Sequence, residues 1–305
     1  MNTPESRPPE PPLNDAGLDV SRIRAITLDL DDTLWPIWPT IERAEAMLAN
    51  WLAQHAPATA RLYATPGALR EARNHLQTLR PDLAYDLSAL RRESIRYVLQ
   101  RAGDDPALAE PAFDVFFDER QRVQLFEDAM PALDWLSARF PVVAVSNGNA
   151  DVHRVGLGQH FKGALSAREF GVGKPDARIF HAAASMAGVH PTEVLHVGDD
   201  AQLDALGGLV AGLQVAWVNR TEAAWEHAPL QPHITVTNLM DLCKAALTME
   251  HRELPHGRDA LIQASISTFA LPAALGDSAN KILLESYNES PATWRAFANI
   301  KSTND

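Results

Sequence analysis

The sequence predicts an α/β fold, a doubly wound parallel sheet with a helical cap inserted close to its first strand. Three observations predict it. Short β-branched runs alternate with helical segments, the pattern of a parallel sheet covered on both faces. Asp29 and Ser146, at the ends of the first two strand runs, are 117 residues apart, whereas a plain βαβ unit takes about 30. The residues filling that gap repeat apolar side chains at spacings of three and four, which is helical periodicity.

Composition sets the outer limits. The 305 residues carry 27 Lys+Arg against 39 Asp+Glu, a net charge of −12 at pH 7. A hydrophobic fraction of 46% with 22% charged residues excludes a largely disordered chain. The acidic balance excludes a nucleic-acid surface as the main business. No apolar run reaches the roughly 18–20 residues of a membrane helix. Cys243 stands alone, which excludes a disulfide within the chain and fits a reducing compartment. The start is Pro-rich and lacks the apolar stretch of a secretory signal. The expectation is a soluble, cytoplasmic protein, with monomer and homodimer both open.

Along the chain, residues 1–20 place five prolines in the first twelve positions and read as a disordered tail. Order begins with the run Arg22–Asp31, a buried strand. From Thr40 to about Arg139 the pattern is helical, in ERAEAMLANWLAQHA, PGALREARNHLQTL, LSALRRESIRYVLQRAG and AFDVFFDERQRVQLF. Strand signals return at Phe140–Ser146, Val194–Gly198, Leu213–Val218 and His233–Leu239, with helices expected over Asp176–Ala187 and Ala201–Ala211. The predicted organisation is therefore a tail over 1–20, an α/β core over 21–38 and 131–249, a cap over 39–130, and a C-terminal extension of unknown role over 250–305. No internal repeat is found.

Four clusters carry chemistry, and each falls at a strand end. Asp29 and Asp31 lie two apart at the end of the first strand, so both can point into one site, and ligands of such sheets sit beyond the carboxyl ends of the strands. One carboxylate can serve as nucleophile and metal ligand, the other as general acid/base; Asp-Asp-Thr is also ordinary turn and capping chemistry. Ser146-Asn147-Gly148 offers a hydroxyl and backbone N–H groups suited to phosphate oxygens, and equally to an N-cap. Lys174, just before a helix expected to start at Pro175, can neutralise an anion or a set of carboxylates. Asp199, after Val197-Gly198 and followed by Asp204, offers hard oxygen ligands of the kind that suit Mg²⁺. Trp35, Trp38, Arg91, Arg92 and Arg96 are further candidates for substrate contact, with packing or solvated surface the expected role of each. His196 is expected to be a core histidine, and no His/Cys cluster has zinc spacing.

Taken together, the order Asp-x-Asp-x-Thr, Ser, Lys-Pro, Gly-Asp-x4-Asp resembles the haloacid dehalogenase-like hydrolase superfamily, from Arg24 to about Leu247. The resemblance implies a Rossmann-like core with a type-1 cap. It implies Asp29 as a nucleophile forming an aspartyl-phosphate, and Asp31 as general acid/base. Ser146, with Thr33 and Asn147, is implied in phosphoryl binding, and Lys174 in stabilising its charge. Mg²⁺ would be held by Asp29, Asp199 and the Asp31 backbone carbonyl, with Asp204 behind them. The dehalogenase branch lacks a carboxylate two positions after its nucleophile, so Asp31 favours phosphoryl chemistry. LDLDDTLW, SNGNADV and HVGDDAQLDALGGLVAGLQVAWVNR further resemble a bacterial subgroup that dephosphorylates flavin mononucleotide and a riboflavin-pathway ribitylaminouracil phosphate. The expected activity is Mg²⁺-dependent hydrolysis of a small phosphorylated metabolite. A phosphomutase and a receiver-like phospho-signalling module are the competing readings; Asp31 and the long insertion weigh against the second.

Overall fold

The computed structural model describes residues 17–252. The tail predicted over residues 1–16 and the extension over 253–305 lie outside the described residues. Residues 17–20, grouped with the tail by composition, are packed: Leu18 is buried, and the Asp19 backbone exchanges hydrogen bonds of 2.8 and 2.9 Å with the Gln214 side chain. By internal contacts the chain divides into residues 1–243 and 244–305. The sheet and the helical insertion belong to the first unit.

The chain runs from β1 (Ala25–Leu28) into helices α1 (Ile37–His55), α2 (Pro57–Leu62), α3 (Ala68–Leu79), α4 (Leu87–Ala102) and α5 (Ala109–Arg120). It returns through α6 (Ala129–Ser137), β2 (Val142–Ser146), β3 (Gly163–Ser166), α7 (Ala167–Phe170), α8 (Ala177–Ala187) and β4 (Val194–Gly198). It ends with α9 (Gly207–Val210, entered through a wide π-type turn over Ala201–Leu206), β5 (Gln214–Val218), β6 (Ile234–Val236) and α10 (Leu239–Arg252). The sheet is parallel throughout, in the order β3-β2-β1-β4-β5-β6. The connections run outward from β1 to one edge and then from β4 to the other, so the order reverses between β1 and β4. Ligands of doubly wound sheets bind at this switch point, and it is where Asp29 and Asp199 emerge.

Strands β1, β2, β4 and β5 are buried at every position, as strands covered on both faces must be. On one face α8 packs Ile179, Phe180, Ala183 and Ala184 against Val143, Val145 and Val194. The insertion has its own core, with Leu48 and Leu52 of α1 against Ile95 and Leu99 of α4 and Phe113 and Phe116 of α5. Truncating Phe113 to Ala would cost about 3–5 kcal/mol there.

Three local outcomes differ from the sequence reading. β3 escaped it because Gly163-Ala-Leu-Ser166 has no β-branched residue and is only partly buried at the sheet edge. The helix predicted from Pro175 starts two residues later: Asp176 is its N-cap, accepting from the Arg178 N–H at 2.9 Å. The fourth cap helix stops at Arg120 rather than running to Phe126. There the Gln121 side chain turns into the protein, and the Phe126 N–H bonds the Leu34 carbonyl at 3.0 Å. The two linkers between helical insertion and sheet thus lie side by side. Arg220, after β5, holds both, donating to the Thr33 carbonyl at 2.8 Å, pairing with Asp128 at 2.9 Å and lying over the Phe126 ring.

Candidate active site

Asp29 follows β1, and its N–H continues the ladder to the Val197 carbonyl at 2.9 Å, so the backbone under the side chain is fixed by the sheet. Its carboxylate Oδ1 meets the Lys174 ammonium, which also contacts Asp204 Oδ1 at 2.5 Å. All three side chains are buried. Lys174 reaches this point because Asn147 clamps its backbone, accepting from the Lys174 N–H at 2.7 Å and donating to its carbonyl at 2.8 Å. Gly173 permits the clamp, since a Cβ there would lie 2.5 Å from Asn147 Oδ1.

Asp199 follows β4. It accepts the Thr33 hydroxyl at 2.8 Å, and the same hydroxyl lies 3.4 Å from Asp29 Oδ2. Its backbone carbonyl is held by the Trp217 indole N–H at 2.7 Å. Asp204 accepts from the Asp200 N–H at 3.1 Å and lies 3.0 Å from His196 Nε2, whose other ring nitrogen is 2.9 Å from the Thr27 hydroxyl. One carboxylate oxygen from each of Asp29, Asp199 and Asp204 lies within 4.8 Å of the others.

The electrostatics follow from two buried acids, Asp29 and Asp204, and the half-buried Asp199 gathered around one ammonium. Burial pushes the Asp29 carboxyl well above its ordinary value, with Lys174 pulling the other way. Burial, then the Asp204 charge, pushes Asp199 up to about 7. Asp204 would also rise by burial, but Lys174 and His196 outweigh this and hold it at about 2. Burial opposes the Lys174 charge, yet Asp204 and Asp29 raise its pKa above the ordinary value. Burial lowers His196 and keeps it neutral. Burial and the neighbouring Asp204 charge both disfavour an ionised Asp199. A hard, oxygen-preferring divalent metal ion fits this donor set.

Asp31 has partners of its own. It accepts the Trp35 indole N–H at 2.8 Å, and one guanidinium nitrogen of Arg120 contacts both its oxygens at 2.7 and 2.8 Å. The turn after Asp31 is tight: Asp32 adopts a left-handed backbone, φ 59°, and its carboxylate accepts the Ile37 N–H at 2.9 Å. Ser146, ending β2, is buried, and its hydroxyl accepts from the Gly148 N–H at 2.9 Å.

The structure therefore gathers Asp29, Thr33, Lys174, Asp199 and Asp204 into one cluster, with Asp31 and Ser146 at its border. Thr33 and Asn147, read from sequence as phosphoryl contacts, spend their side chains on Asp199 and on the Lys174 backbone. Trp35 is fully buried against Asp31. Trp38 is exposed under Arg70, Arg91 pairs with Glu45, and Arg92 and Arg96 pair with Glu110. Sequence reasoning missed Arg120 and Gln121, which sit beyond the strand ends at the close of a helix and carry no motif. The core position of His196 was legible; its bond to Asp204 was not.

A parallel α/β sheet with a helical insertion after its first strand, and carboxylates and a lysine at its carboxyl edge, is the architecture of a hydrolase with an α/β fold. Residues 23–212 match the haloacid dehalogenase-like hydrolase family, and the chain belongs to it. Over 231 residues it is 31% identical to the 5-amino-6-(5-phospho-D-ribitylamino)uracil phosphatase YigB of Escherichia coli, covering 73% of this chain and 96% of that one. It is 28% identical over 207 residues to a glyceraldehyde 3-phosphate phosphatase of Methanopyrus kandleri, covering 65% of this chain and 84% of the relative. Among solved structures, a 2-haloacid dehalogenase from Pseudomonas syringae pv. Tomato is 38% identical with a TM-score of 0.68, covering 74% of this chain and 98% of that one. The chain is an enzyme of the phosphatase side of this family. Among the described residues no helix is long and apolar enough to cross a membrane.

Proposed function

We propose that the protein is a Mg²⁺-dependent phosphatase that hydrolyses a small phosphorylated metabolite through an aspartyl-phosphate on Asp29. The observation that carries this reading is the separation of two acids two residues apart. Asp29 lies against Lys174 in the acidic trio, while Asp31 points to Arg120 and Trp35. Two carboxylates in different surroundings can hold different roles.

In the first step an Asp29 oxygen attacks phosphorus, the bond to the leaving oxygen breaks, and Asp31 delivers a proton to that oxygen. In the second, Asp31 takes a proton from water as the water attacks phosphorus, and Asp29 is released with inorganic phosphate. Lys174 offsets charge on Asp29 and on the phosphoryl oxygens. Ser146 and the N–H groups following it offer donors for those oxygens. Thr33 orients Asp199, and Asn147 positions Lys174. Asp29 and Asp199, with the Asp31 backbone carbonyl, would hold Mg²⁺, and Asp204 would anchor Lys174 behind them. When bound, the ion supplies countercharge for the acids and for the phosphoryl oxygens. The ribitylaminouracil phosphatase relative supports a substrate with a ring system on a phosphorylated polyol chain, with flavin mononucleotide a second member of that chemistry.

The test is turnover of p-nitrophenyl phosphate with Mg²⁺, its loss with EDTA, and a panel of phosphorylated metabolites that includes both compounds. Phosphate release with EDTA-sensitive turnover is expected. Transfer of the phosphoryl group within a sugar phosphate, without net release, would instead favour the mutase. A stable phosphoprotein without turnover would favour the signalling module.

A further inference from the structure

We propose that Arg120, at the last position of α5, is a positioning residue that holds Asp31 for proton transfer, so that the helical insertion supplies part of the reaction geometry. The inference rests on the acid/base role proposed above for Asp31. The Arg120 side chain is 1% exposed, yet its guanidinium reaches 89 residues back along the chain to take both Asp31 oxygens from one nitrogen. Its other terminal nitrogen is buried and has no hydrogen-bond partner among the described residues. An orphaned guanidinium donor is costly to bury. That cost is borne by a side chain whose other terminal nitrogen holds both oxygens of Asp31.

The surroundings leave Asp31 little freedom. Trp35 donates to Oδ1 from its own turn. Against Oδ2 stands Gly148 of the loop after β2: a Cβ there would lie 2.3 Å from that oxygen and 3.5 Å from the Arg120 nitrogen. The neighbouring Gln121 takes hold of the same loop, donating to the Asn149 carbonyl at 3.3 Å and accepting the Asp151 N–H at 2.8 Å. One helix end therefore keys onto two strand-end loops at once, Arg120 on the loop after β1 and Gln121 on the loop after β2. Removing the guanidinium frees Asp31 to rotate about its side-chain torsions, and a proton donor displaced by about 1 Å loses much of its effect.

The test compares phenyl phosphate with p-nitrophenyl phosphate in the Mg²⁺-loaded full-length enzyme. The two differ chiefly in how far the leaving oxygen needs a proton. Arg120→Met should lower kcat on phenyl phosphate about tenfold more than on p-nitrophenyl phosphate, with KM changing no more than about threefold. Arg120→Lys keeps the charge and length, protects folding, and should show the same selectivity at smaller amplitude. Asp31→Asn must show that leaving-group selectivity by itself; if it does not, the acid/base reading fails. With that established, the double variant Asp31→Asn/Arg120→Met should be no slower than Asp31→Asn alone, because the arginine then has nothing to position. Equal losses on both substrates in the Met and Lys variants, or losses that multiply in the double variant, would overturn the role of Arg120.

Discussion

The sheet's carboxyl edge and the helical insertion carry many charged residues each, and they use them in opposite ways. At the edge, Asp29, Asp199, Asp204 and Lys174 are gathered into a mostly buried cluster whose charges do not cancel. On the insertion, Arg70 and Arg91 meet Glu45, while Arg92 and Arg96 meet Glu110, most of them at partly open surface. The first arrangement leaves acids short of a cation; in the second each arginine has a carboxylate partner, although burial lowers the pKa of Arg91 to about 10. Unbalanced burial marks chemistry, and balanced exposure marks solubility and helix support. Arg120 is the exception that joins them, an insertion residue buried on a core acid.

The sharpest way to break this contrast is to disarm the core. Asp29→Asn should abolish turnover, since a neutral amide is a poor nucleophile and one metal ligand is lost with it. Steady-state assay on p-nitrophenyl phosphate retaining more than about a tenth of the rate would remove Asp29 from the attacking role. Lys174→Met is next. It leaves Asp29 and Asp204 buried without their shared cation, and losing one partner of a buried pair typically costs about 3–5 kcal/mol. Urea unfolding of the metal-free protein should show that loss, and saturating Mg²⁺ should recover part of it. Equal stability of the metal-free variant and parent would mean that the buried acids do not depend on the lysine.

Asp199→Ala sharpens the comparison from the metal side. Asp199 is the least compensated of the three acids, so its removal should raise the Mg²⁺ concentration for half-maximal activity by roughly tenfold or more while high Mg²⁺ restores much of kcat. Lost activity with an unchanged Mg²⁺ requirement would show that it is no ligand. pH gives a gentler version. With its pKa pushed up to about 7, Asp199 takes up a proton as pH falls through neutrality, and a metal ion must displace that proton. Apparent Mg²⁺ affinity should therefore be full above about pH 8 and weaken below about pH 7, approaching tenfold per unit. An ordinary aspartate, ionised down to about pH 4, would leave affinity flat across that range. Calorimetric titration at several pH values distinguishes the two.

Legibility in the sequence obeys the same divide. Strand ends are local: a β-branched run followed by Asp, Ser or Gly-Asp places a side chain at the sheet edge without knowledge of the rest. Their assembly depends on the strand order, which the structure supplies and no single strand run carries. Illegible were contacts made by side chains of long reach and no motif. Arg120 bonds Asp31 across 89 residues, and Arg220 bridges Thr33 to Asp128 across 187 and 92. β3 was hidden because an edge strand is held by its neighbour more than by its own residues. Thr33 and Asn147 were found as members of the site, while the sequence could not tell a hydroxyl or amide that meets the substrate from one that orients a neighbour.

The smallest expected effect probes the insertion itself. Arg92 and Arg96 have the composition of a phosphate-binding pair, and a loop-borne or helix-borne arginine pair facing the site would contribute strongly to binding a dianion. Here both guanidinium groups are committed to Glu110, Arg96 also to Glu93, and Arg92 lies 3.8 Å over the Phe113 ring. Partly exposed pairs of this kind are worth about 0–1 kcal/mol. Arg96→Ala should therefore shift stability by roughly half a kcal/mol or less and leave KM for the preferred substrate within about twofold. Glu110 serves both arginines, so Glu110→Gln should be nearly as mild. A tenfold rise in KM for Arg96→Ala, with kcat unchanged, would mean that the arginine leaves Glu110 for the substrate, and the insertion would then hold anion-binding residues of its own.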